Sequence, residues 1–415
     1  MAKLNLQKLI DNKSKAAKYM VDEITHIIKT FEKRDPGSLG EKQACEYMAE
    51  VLKNDCGCED VKVESFKENP RSFFGWIYFT MTFVLLAVVL FFFFPLASVL
   101  LICAGFFIVL AQFGVYKKLI DRCFPEKTGH NVTAYKKCTG ETKRRIIFNG
   151  HPDAAWEWPV NYALGGVGFE GHAIICVLGA VYYLVLSIIH IITNGFTPEI
   201  DLDSTIIKCA LGGLAFVPFM IGLYWMVNYK RPVDGANDNL SGCYMGIAIL
   251  KALKDEGIEL ENTEIGVVLT GSEEAGLRGS KAWCEAHKDE FNDVPTFFYS
   301  YDTIYDPKYL MVNYRDLNGT VKVDKDVSDL FMEAAKELGI HCSKGMVPPL
   351  GGATDSAAFA QAGLRATGIT GLNHKLESYY HTRRDTYDNM NEKGLADCYA
   401  VSVRVLEKFD AGAKQ

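Results

Sequence analysis

Several histidines and carboxylates in this sequence are of the types that bind divalent metal ions. His151 follows a short apolar run that predicts a β-strand, and the adjacent pair Glu273 and Glu274, as well as Asp302, follow similar runs. In open α/β sheets, functional sites gather just beyond the carboxyl ends of the strands. We therefore expect these side chains to meet at one edge of a sheet.

Two further candidates lie in loops. Asp238 belongs to the Gly-rich stretch 234–242, where small residues allow a tight turn and a carboxylate can bridge two metals, and His381 lies in the polar stretch 380–386. Two imidazoles and three carboxylates form the mixed nitrogen and oxygen set that suits two zinc ions about 3.5–4 Å apart. Cobalt or manganese would also fit these ligand types. The five candidate ligands are His151, Asp238, Glu274, Asp302 and His381.

The polar parts of the chain alternate between strand and helix patterns. Helices are predicted over 39–53 and 241–255, with Ser241 as the N-cap of the second. This alternation predicts an α/β fold in which a mixed, mostly parallel sheet is flanked by helices. The predicted strands are 61–66, 130–135, 146–148, 265–269, 296–299 and 366–369.

Long uncharged runs interrupt this pattern. No Asp, Glu, Lys or Arg occurs over 72–116, 171–198 or 209–229. The first run is long enough for two bilayer crossings of about 20 residues each, and we predict four transmembrane helices in two hairpins. A very apolar soluble core is the alternative, but such continuous apolarity lacks the one-sided pattern of a surface helix. The predicted pieces are 1–71, 118–165 and 231–415 for the catalytic domain, and 72–117 and 166–230 for the hairpins.

The charges suggest an orientation and exclude some functions. Basic residues flank the spans on the side of the polar domain, which predicts a cell-membrane protein with the catalytic domain and both termini in the cytoplasm. The 12 scattered cysteines fit a reducing compartment, and the net charge of −7 argues against a nucleic-acid partner. Spans without acidic residues or arginine argue against a transporter or channel. The flanking basic residues are Arg71, Lys117, Lys118, Arg122, Lys230 and Arg231.

Taken together, the motifs resemble those of peptidase family M28, a group of zinc peptidases that includes bacterial leucyl-type aminopeptidases. Each motif alone is more often ordinary polar structure, but their joint occurrence in this order is specific. The matching stretches cover nearly all of the chain outside the four predicted spans. They are 34–41, 130–135, 151–153, 234–242, 272–280, 301–303, 354–356 and 380–386.

This resemblance implies a role for each matching residue. His151 and Asp302 would hold one zinc ion, Glu274 and His381 the other, and Asp238 would bridge both. A lipid bilayer is the expected environment, although most familiar relatives are soluble or secreted, or carry spans outside the catalytic domain. The active site is therefore expected close to the membrane surface.

The resemblance also implies the residues that act on the substrate. Asp153 would accept the free N–H of the His151 imidazole and so orient the ring. Glu273 would be the general base that takes a proton from the water between the metals and passes it to the leaving amine. Tyr380 would hydrogen-bond the developing oxyanion, although the adjacent Tyr379 could be the ring that matters and either could be merely packed.

The predicted function is that of a membrane-bound di-zinc aminopeptidase acting on peptides, including hydrophobic or lipid-linked ones. Carboxypeptidase and dipeptidase variants fit the same motifs, and no feature specifies an oligomeric state. A glutaminyl cyclase of the same fold is an alternative, although the five-ligand set argues against it. A catalytically inactive peptide-binding protein is another. Trp156 and Trp158 are interpreted as membrane-interface anchors in preference to pocket residues.

Overall fold

The computed structural model of the chain describes residues 6–198, 201–349, 351–373, 375 and 377–413. The outermost residues of the predicted terminal pieces, 1–5 and 414–415, lie outside this description. Within the described residues the chain forms one nine-stranded sheet and one two-stranded sheet. The strands are β1 (Asp60–Glu68), β2 (Lys127–Lys136), β3 (Arg144–Gly150), β4 (Trp156–Glu157), β5 (Asn228–Pro232), β6 (Thr263–Thr270), β7 (Thr296–Ile304), β8 (Met311–Asp316), β9 (Val321–Lys322), β10 (Ser343–Met346) and β11 (Ala366–Gly371).

The large sheet has the order β1-β2-β6-β3-β7-β11-β8-β10, with β9 paired to β8. Its four central strands, β6, β3, β7 and β11, run parallel to one another. Antiparallel pairs flank this centre, because β2 runs against β6 and β8 runs against β11. The mixed sheet confirms the predicted fold class, and its parallel centre brings the ends of β3, β6 and β7 to one edge.

Helices cover both faces of this sheet, as a parallel sheet requires. Alternate residues of the central strands enter different cores: Phe148 and Phe297 face one group of helices, whereas Ile147 and Phe298 face another. Because both faces are buried, these strands read as continuous apolar runs. The helices are α1 (Gln7–Asp11), α2 (Lys13–Thr30), α3 (Leu39–Asn54), α4 (Trp76–Leu90), α5 (Pro95–Val109), α6 (Pro159–Asn194), α7 (Thr205–Gly213), α8 (Val217–Gly222), α9 (Ser241–Asp255), α10 (Arg278–His287), α11 (Lys325–Glu337), α12 (Ser356–Gln361) and α13 (Glu392–Asp410).

Four helical segments are long and apolar enough to cross a membrane: 70–90, 95–114, 159–194 and 205–225. A segment of 21 residues is about 32 Å long at 1.5 Å per residue, close to the thickness of a bilayer's hydrocarbon core. Pro95 occupies the first turn of its helix, where a missing N–H has no consequence. The segments share a core that is separate from those of the sheet and that also includes residues of the polar domain, such as Leu277 and Ala357.

Two details differ from the sequence-based expectation. Ser241 is the first residue of α9 and not its N-cap, because the preceding residue, Leu240, already has helical backbone angles; the Ser241 hydroxyl donates to the Asn237 carbonyl at 2.6 Å. Strand β7 continues past the predicted end at Tyr299, so Asp302 lies within the strand and not after it. The pairing of β7 with β11 extends to Ile304 and holds this polar end in the sheet.

Candidate metal centre

The parallel centre of the sheet brings three of the candidate side chains together. His151 directly follows β3, and Glu273 and Glu274 lie in a 3₁₀ turn shortly after β6. Asp302 lies near the carboxyl end of β7. Since β3 pairs with both β6 and β7, these residues share one edge of the sheet.

The remaining candidates come from loops above that edge and complete two groups of metal-ligand type. One group contains His151, Asp238 and Asp302, and the other contains Asp238, Glu274 and His381, with ligand atoms within 4.8 Å of one another in each group. Asp238 Oδ1 lies 3.4 Å from His151 Nε2, whereas its Oδ2 lies 3.1 Å from His381 Nε2. Each oxygen of Asp238 thus faces a different histidine, which is the arrangement of a bridging carboxylate.

These residues fit a site for divalent cations. His151 Nε2 and Glu274 Oε1 are buried and form no hydrogen bond of good geometry with the described residues. Burial and the charge of Asp238 raise the pKa of Asp302 to about 8, which reflects the crowding of carboxylates. Bound cations would compensate this crowding of negative charge.

Asp153 connects the loops that carry the ligands. Its Oδ1 lies 3.3 Å from His151 Nδ1, consistent with the predicted orienting contact. Its two carboxylate oxygens also accept the backbone N–H groups of Glu273 at 3.0 Å and Glu274 at 3.1 Å. Asp153 therefore fixes the backbone of the predicted base as well as the imidazole.

Glu273 lies beside the ligands without completing either group. Its Oε2 is 3.8 Å from His151 Nε2. Burial raises the pKa of Glu273 well above its usual value; His151 opposes this shift and the neighbouring Asp302 adds to it. The side chain also lines the cavity that opens from the centre, where a substrate would approach. This position suits a group that exchanges protons with the reactants.

The two adjacent tyrosines have different environments. The Tyr379 ring is buried and packs on Tyr305, with ring centroids 4.7 Å apart. Tyr380 stacks on His381 at 4.0 Å and lines the cavity. Of the two, Tyr380 is the one whose ring can reach a substrate.

Trp158 also lines the cavity, and its ring centroid lies 4.2 Å from that of His381. Trp156 is buried, with 2% of its surface exposed. Trp158 is therefore a pocket residue and Trp156 is a buried residue that packs on Tyr229, whereas a role of either ring as an interface anchor stays a prediction.

The first turn of α6 and the strand before it support the loop that carries His381. The Trp158 N–H donates to the His381 carbonyl at 2.8 Å, and Asn161 Nδ2 donates to the Tyr380 carbonyl at 2.8 Å. Glu157 accepts two hydrogen bonds from Arg383, at 2.5 and 2.7 Å. The base of the second hairpin is thus part of the support for one candidate metal ligand.

Two positioning residues were missed by the sequence analysis. Asp385 is fully buried and accepts the backbone N–H groups of Asn237 at 2.9 Å and Asp238 at 3.0 Å. Arg34 donates to the carbonyls of Pro152 at 2.7 Å and Asp234 at 2.7 Å, and so ties the His151 and Asp238 loops together. Both residues lie in the stretches that resemble the family motifs, which was the signal available.

Comparisons with known proteins agree with this arrangement. Residues 221–406 match the family model of peptidase family M28. A comparison with curated proteins yields no match. Among solved structures, an aminopeptidase from Aneurinibacillus sp. strain AM-1 aligns with a TM-score of 0.57 at 14% identity, covering 96% of this chain and 95% of that one.

Two other solved structures show the same fold. A zinc aminopeptidase from Bacillus subtilis has a TM-score of 0.55 at 13% identity, with 95% of each chain covered. A glutaminyl cyclase from Bacteroides thetaiotaomicron, bound to N-acetylhistamine, has a TM-score of 0.53 at 13% identity, covering 96% of this chain and 97% of that one. The predicted resemblance is confirmed: residues 221–406 match the model of peptidase family M28, and solved zinc aminopeptidases share the fold.

Proposed function

We propose that this protein is a membrane-bound aminopeptidase that holds two zinc ions and hydrolyses the N-terminal residue of peptides. The observation that carries the proposal is the pair of ligand groups sharing Asp238, with Glu273 beside them. His151 and Asp302 would hold one ion and Glu274 and His381 the other. When bound, the ions would polarise the scissile carbonyl and make water more acidic.

The proton movements fall to Glu273. Its carboxylate takes a proton from the attacking water and delivers it to the nitrogen of the leaving amine, so one group acts first as base and then as acid. Because Asp153 fixes the Glu273 backbone, the carboxylate is held beside the ligands without taking a ligand's place. Tyr380 lines the same cavity, which supports a role in which its hydroxyl would donate a hydrogen bond to the carbonyl oxygen as negative charge develops there.

The charges around the centre favour cleavage at the amino end of a peptide. Among the described residues that line the cavity, no lysine or arginine is present; Glu274 would be taken up as a zinc ligand, which leaves Glu273 as the acidic group that faces the substrate. A substrate's terminal carboxylate would therefore find no cationic side chain there, whereas an ammonium group would be attracted. This distinction favours an aminopeptidase over a carboxypeptidase.

The four apolar segments support a location in a membrane. In the 20-residue segment 95–114, 22% of the most apolar window is buried within the chain, so most of its apolar surface needs another apolar environment. The basic residues beside the spans favour a cytoplasmic catalytic domain.

The function is tested with aminoacyl amides of a fluorescent amine and the full-length protein in lipid nanodiscs. We expect release that a chelator abolishes and that added zinc restores. Glu273→Gln should lower kcat by about 10²–10⁴-fold while the bound zinc stays at two ions per chain. Glu285→Gln, a change at an exposed position on α10, is the matched control and should leave kcat unchanged.

Two other outcomes would replace this proposal. Formation of a cyclic product from substrates with N-terminal glutamine, without hydrolysis of other residues, would identify a glutaminyl cyclase. If wild type and Glu273→Gln bind zinc equally and neither turns over any substrate, the protein would be assigned the role of a peptide-binding protein and not of an enzyme.

A further inference from the structure

The metal centre opens into an apolar cavity of about 250 Å³. Glu273, Glu274 and His381 lie at one end of this cavity. Most of its remaining walls come from the candidate membrane spans, including Val84, Phe106 and Ala180. The site for chemistry and a space between the spans are therefore parts of one cavity.

The cavity is longer than any amino-acid side chain. Its lining extends from Trp76 to Val84 along α4 and from Phe169 to Ala180 along α6. At 1.5 Å per residue these stretches are about 12 Å and about 16 Å long. An extended chain advances by about 1.2 Å per bond, so the cavity accommodates a chain of about ten to thirteen bonds.

The chemistry of the walls favours a hydrocarbon chain over a polypeptide. The part of the lining formed by α4 offers two polar groups: the Thr80 hydroxyl, which already donates to the Gly105 carbonyl at 3.1 Å, and the Trp76 indole N–H, which has no partner among the described residues. A peptide segment placed there would bury N–H and C=O groups without partners, at a cost of several kcal/mol for each group. A hydrocarbon chain carries no such groups and would fill the cavity without that penalty.

The location of the cavity also indicates where such a chain comes from. Its walls belong to segments whose length and composition suit a bilayer, and Val177 of α6, which lines it, keeps 50% of its surface exposed. A chain already dissolved in the membrane would lie at the same depth as the cavity. The polar part of the same molecule would then lie at the metal centre.

We propose that the substrate is a lipid-modified peptide whose N-terminal residue carries a long hydrocarbon chain, which lies between the membrane spans while the scissile amide lies at the metal centre. This inference rests on the proposed aminopeptidase function. Water adds across the amide: the C–N bond breaks, a C–O bond forms, and the leaving amine receives the proton. The products are the free lipid-bearing amino acid and the shortened peptide.

The test compares three substrates with the same fluorescent leaving amine: alanyl, 2-aminohexanoyl and 2-aminododecanoyl amides. The full-length protein is used in nanodiscs. If the hydrocarbon chain of the free substrate is in water, each methylene buried in the cavity should raise kcat/KM by about fourfold. In nanodiscs the gain is smaller because the bilayer already holds the chain. The decisive quantity is therefore the kcat/KM for the 2-aminododecanoyl substrate divided by the kcat/KM for the alanyl substrate, and this ratio is compared between variants.

Ala180→Phe places a ring in the buried deep end of the cavity and should lower this ratio by at least about tenfold. Leu178→Phe adds the same ring to α6 at an exposed position outside the cavity and should leave the ratio unchanged. If Ala180→Phe does not fold, Ala173→Leu obstructs the half-buried middle of the cavity and should have the same effect.

Equal ratios in wild type and both cavity variants would overturn the inference. Release of the fluorescent amine from the alanyl substrate with none from the 2-aminododecanoyl substrate would also overturn the inference. This result would leave the proposed aminopeptidase function unaffected. Equal turnover of a dodecanoyl amide without the amino group would overturn the requirement for a free N-terminus. Absence of release from every substrate by zinc-loaded protein would overturn both proposals.

Discussion

Asp153 holds the backbone of Glu273: its Oδ1 accepts the Glu273 N–H at 3.0 Å, and its Oδ2 accepts the Glu274 N–H at 3.1 Å. The same carboxylate lies 3.3 Å from His151 Nδ1. One buried side chain therefore sets the position of a proposed metal ligand just after β3 and of the proposed base that follows β6. Removal of this carboxylate should therefore weaken zinc binding and proton transfer together.

Asp153→Asn tests this dual role. The amide keeps one oxygen acceptor but presents an NH₂ group to the second backbone N–H, so one hydrogen bond becomes a repulsive contact. We expect zinc affinity to fall by about 10–100-fold, the range typical of residues that orient metal ligands. We also expect kcat to fall even when zinc is saturating, because the Glu273 backbone shifts.

Zinc titration followed by kinetics at saturating metal separates these two effects. The control is Asp289→Asn, a change at an exposed aspartate, which should alter neither quantity. An Asp153→Asn protein whose kcat recovers fully at high zinc would show that Asp153 acts on the metal alone.

The shared position of Asp238 predicts the metal content of ligand variants. Its two oxygens face different histidines, at 3.4 and 3.1 Å. Asp238→Ala should therefore reduce bound zinc from two ions per chain toward none, whereas His151→Ala should retain about one ion on the Glu274 and His381 side. Elemental analysis of protein purified with limiting zinc measures this. One ion retained in both variants would contradict a bridging role for Asp238.

The proximity of the candidate ligands that come from the sheet could be predicted from the sequence, because their positions follow from strand ends. His151 and Glu274 come soon after apolar runs, and the parallel pairing of β3 with β6 converts that spacing into proximity. The end of β7 was predicted too early because Ser300 and Asp302 are polar. Their polarity reflects the site at the end of the sheet and not the end of the strand.

The supporting residues could not be predicted in the same way. A loop aspartate such as Asp385 is usually solvated, and its role depends on the tertiary contact with the Asn237 and Asp238 backbone. The position of Trp158 depends on how α6 leaves the domain, with a break at Gly165, where φ is +67°. The apolar cavity depends likewise on how the two hairpins pack together, which the composition of the spans does not specify.

A buried ion pair between Arg278 and Asp121 links the catalytic domain to the first hairpin. Arg278 Nη2 lies 2.9 Å from Asp121 Oδ1, and Asp121 also accepts hydrogen bonds from Ser72 and Gln112.

Asp121→Leu leaves the Arg278 charge buried, so we expect the free energy of unfolding to fall by about 3–5 kcal/mol. The double variant Asp121→Leu/Arg278→Met should recover most of this loss. Denaturant unfolding in detergent of the wild type, Asp121→Leu, Arg278→Met and the double variant measures the coupling, and a double variant no more stable than Asp121→Leu would argue against it.

A second ion-pair cluster predicts a pH-dependent stability. Asp397 of α13 accepts hydrogen bonds from Lys13 of α2 and from Lys393, each at 2.6 Å. Burial alone would raise the pKa of Asp397, but the two lysines lower it below its usual value of about 3.9.

Because the pKa of Asp397 is lower in the folded state than in the unfolded state, the stabilisation is present above pH about 4 and is lost as the pH falls through the folded pKa. Asp397→Asn should therefore lower the free energy of unfolding by up to about 1 kcal/mol at pH 7 and by progressively less as the pH falls below about 4. Unfolding curves over this pH range, with the exposed Asp388→Asn as control, test the prediction. A loss that is constant from pH 7 to pH 2 would mean that Asp397 contributes by packing and not by charge.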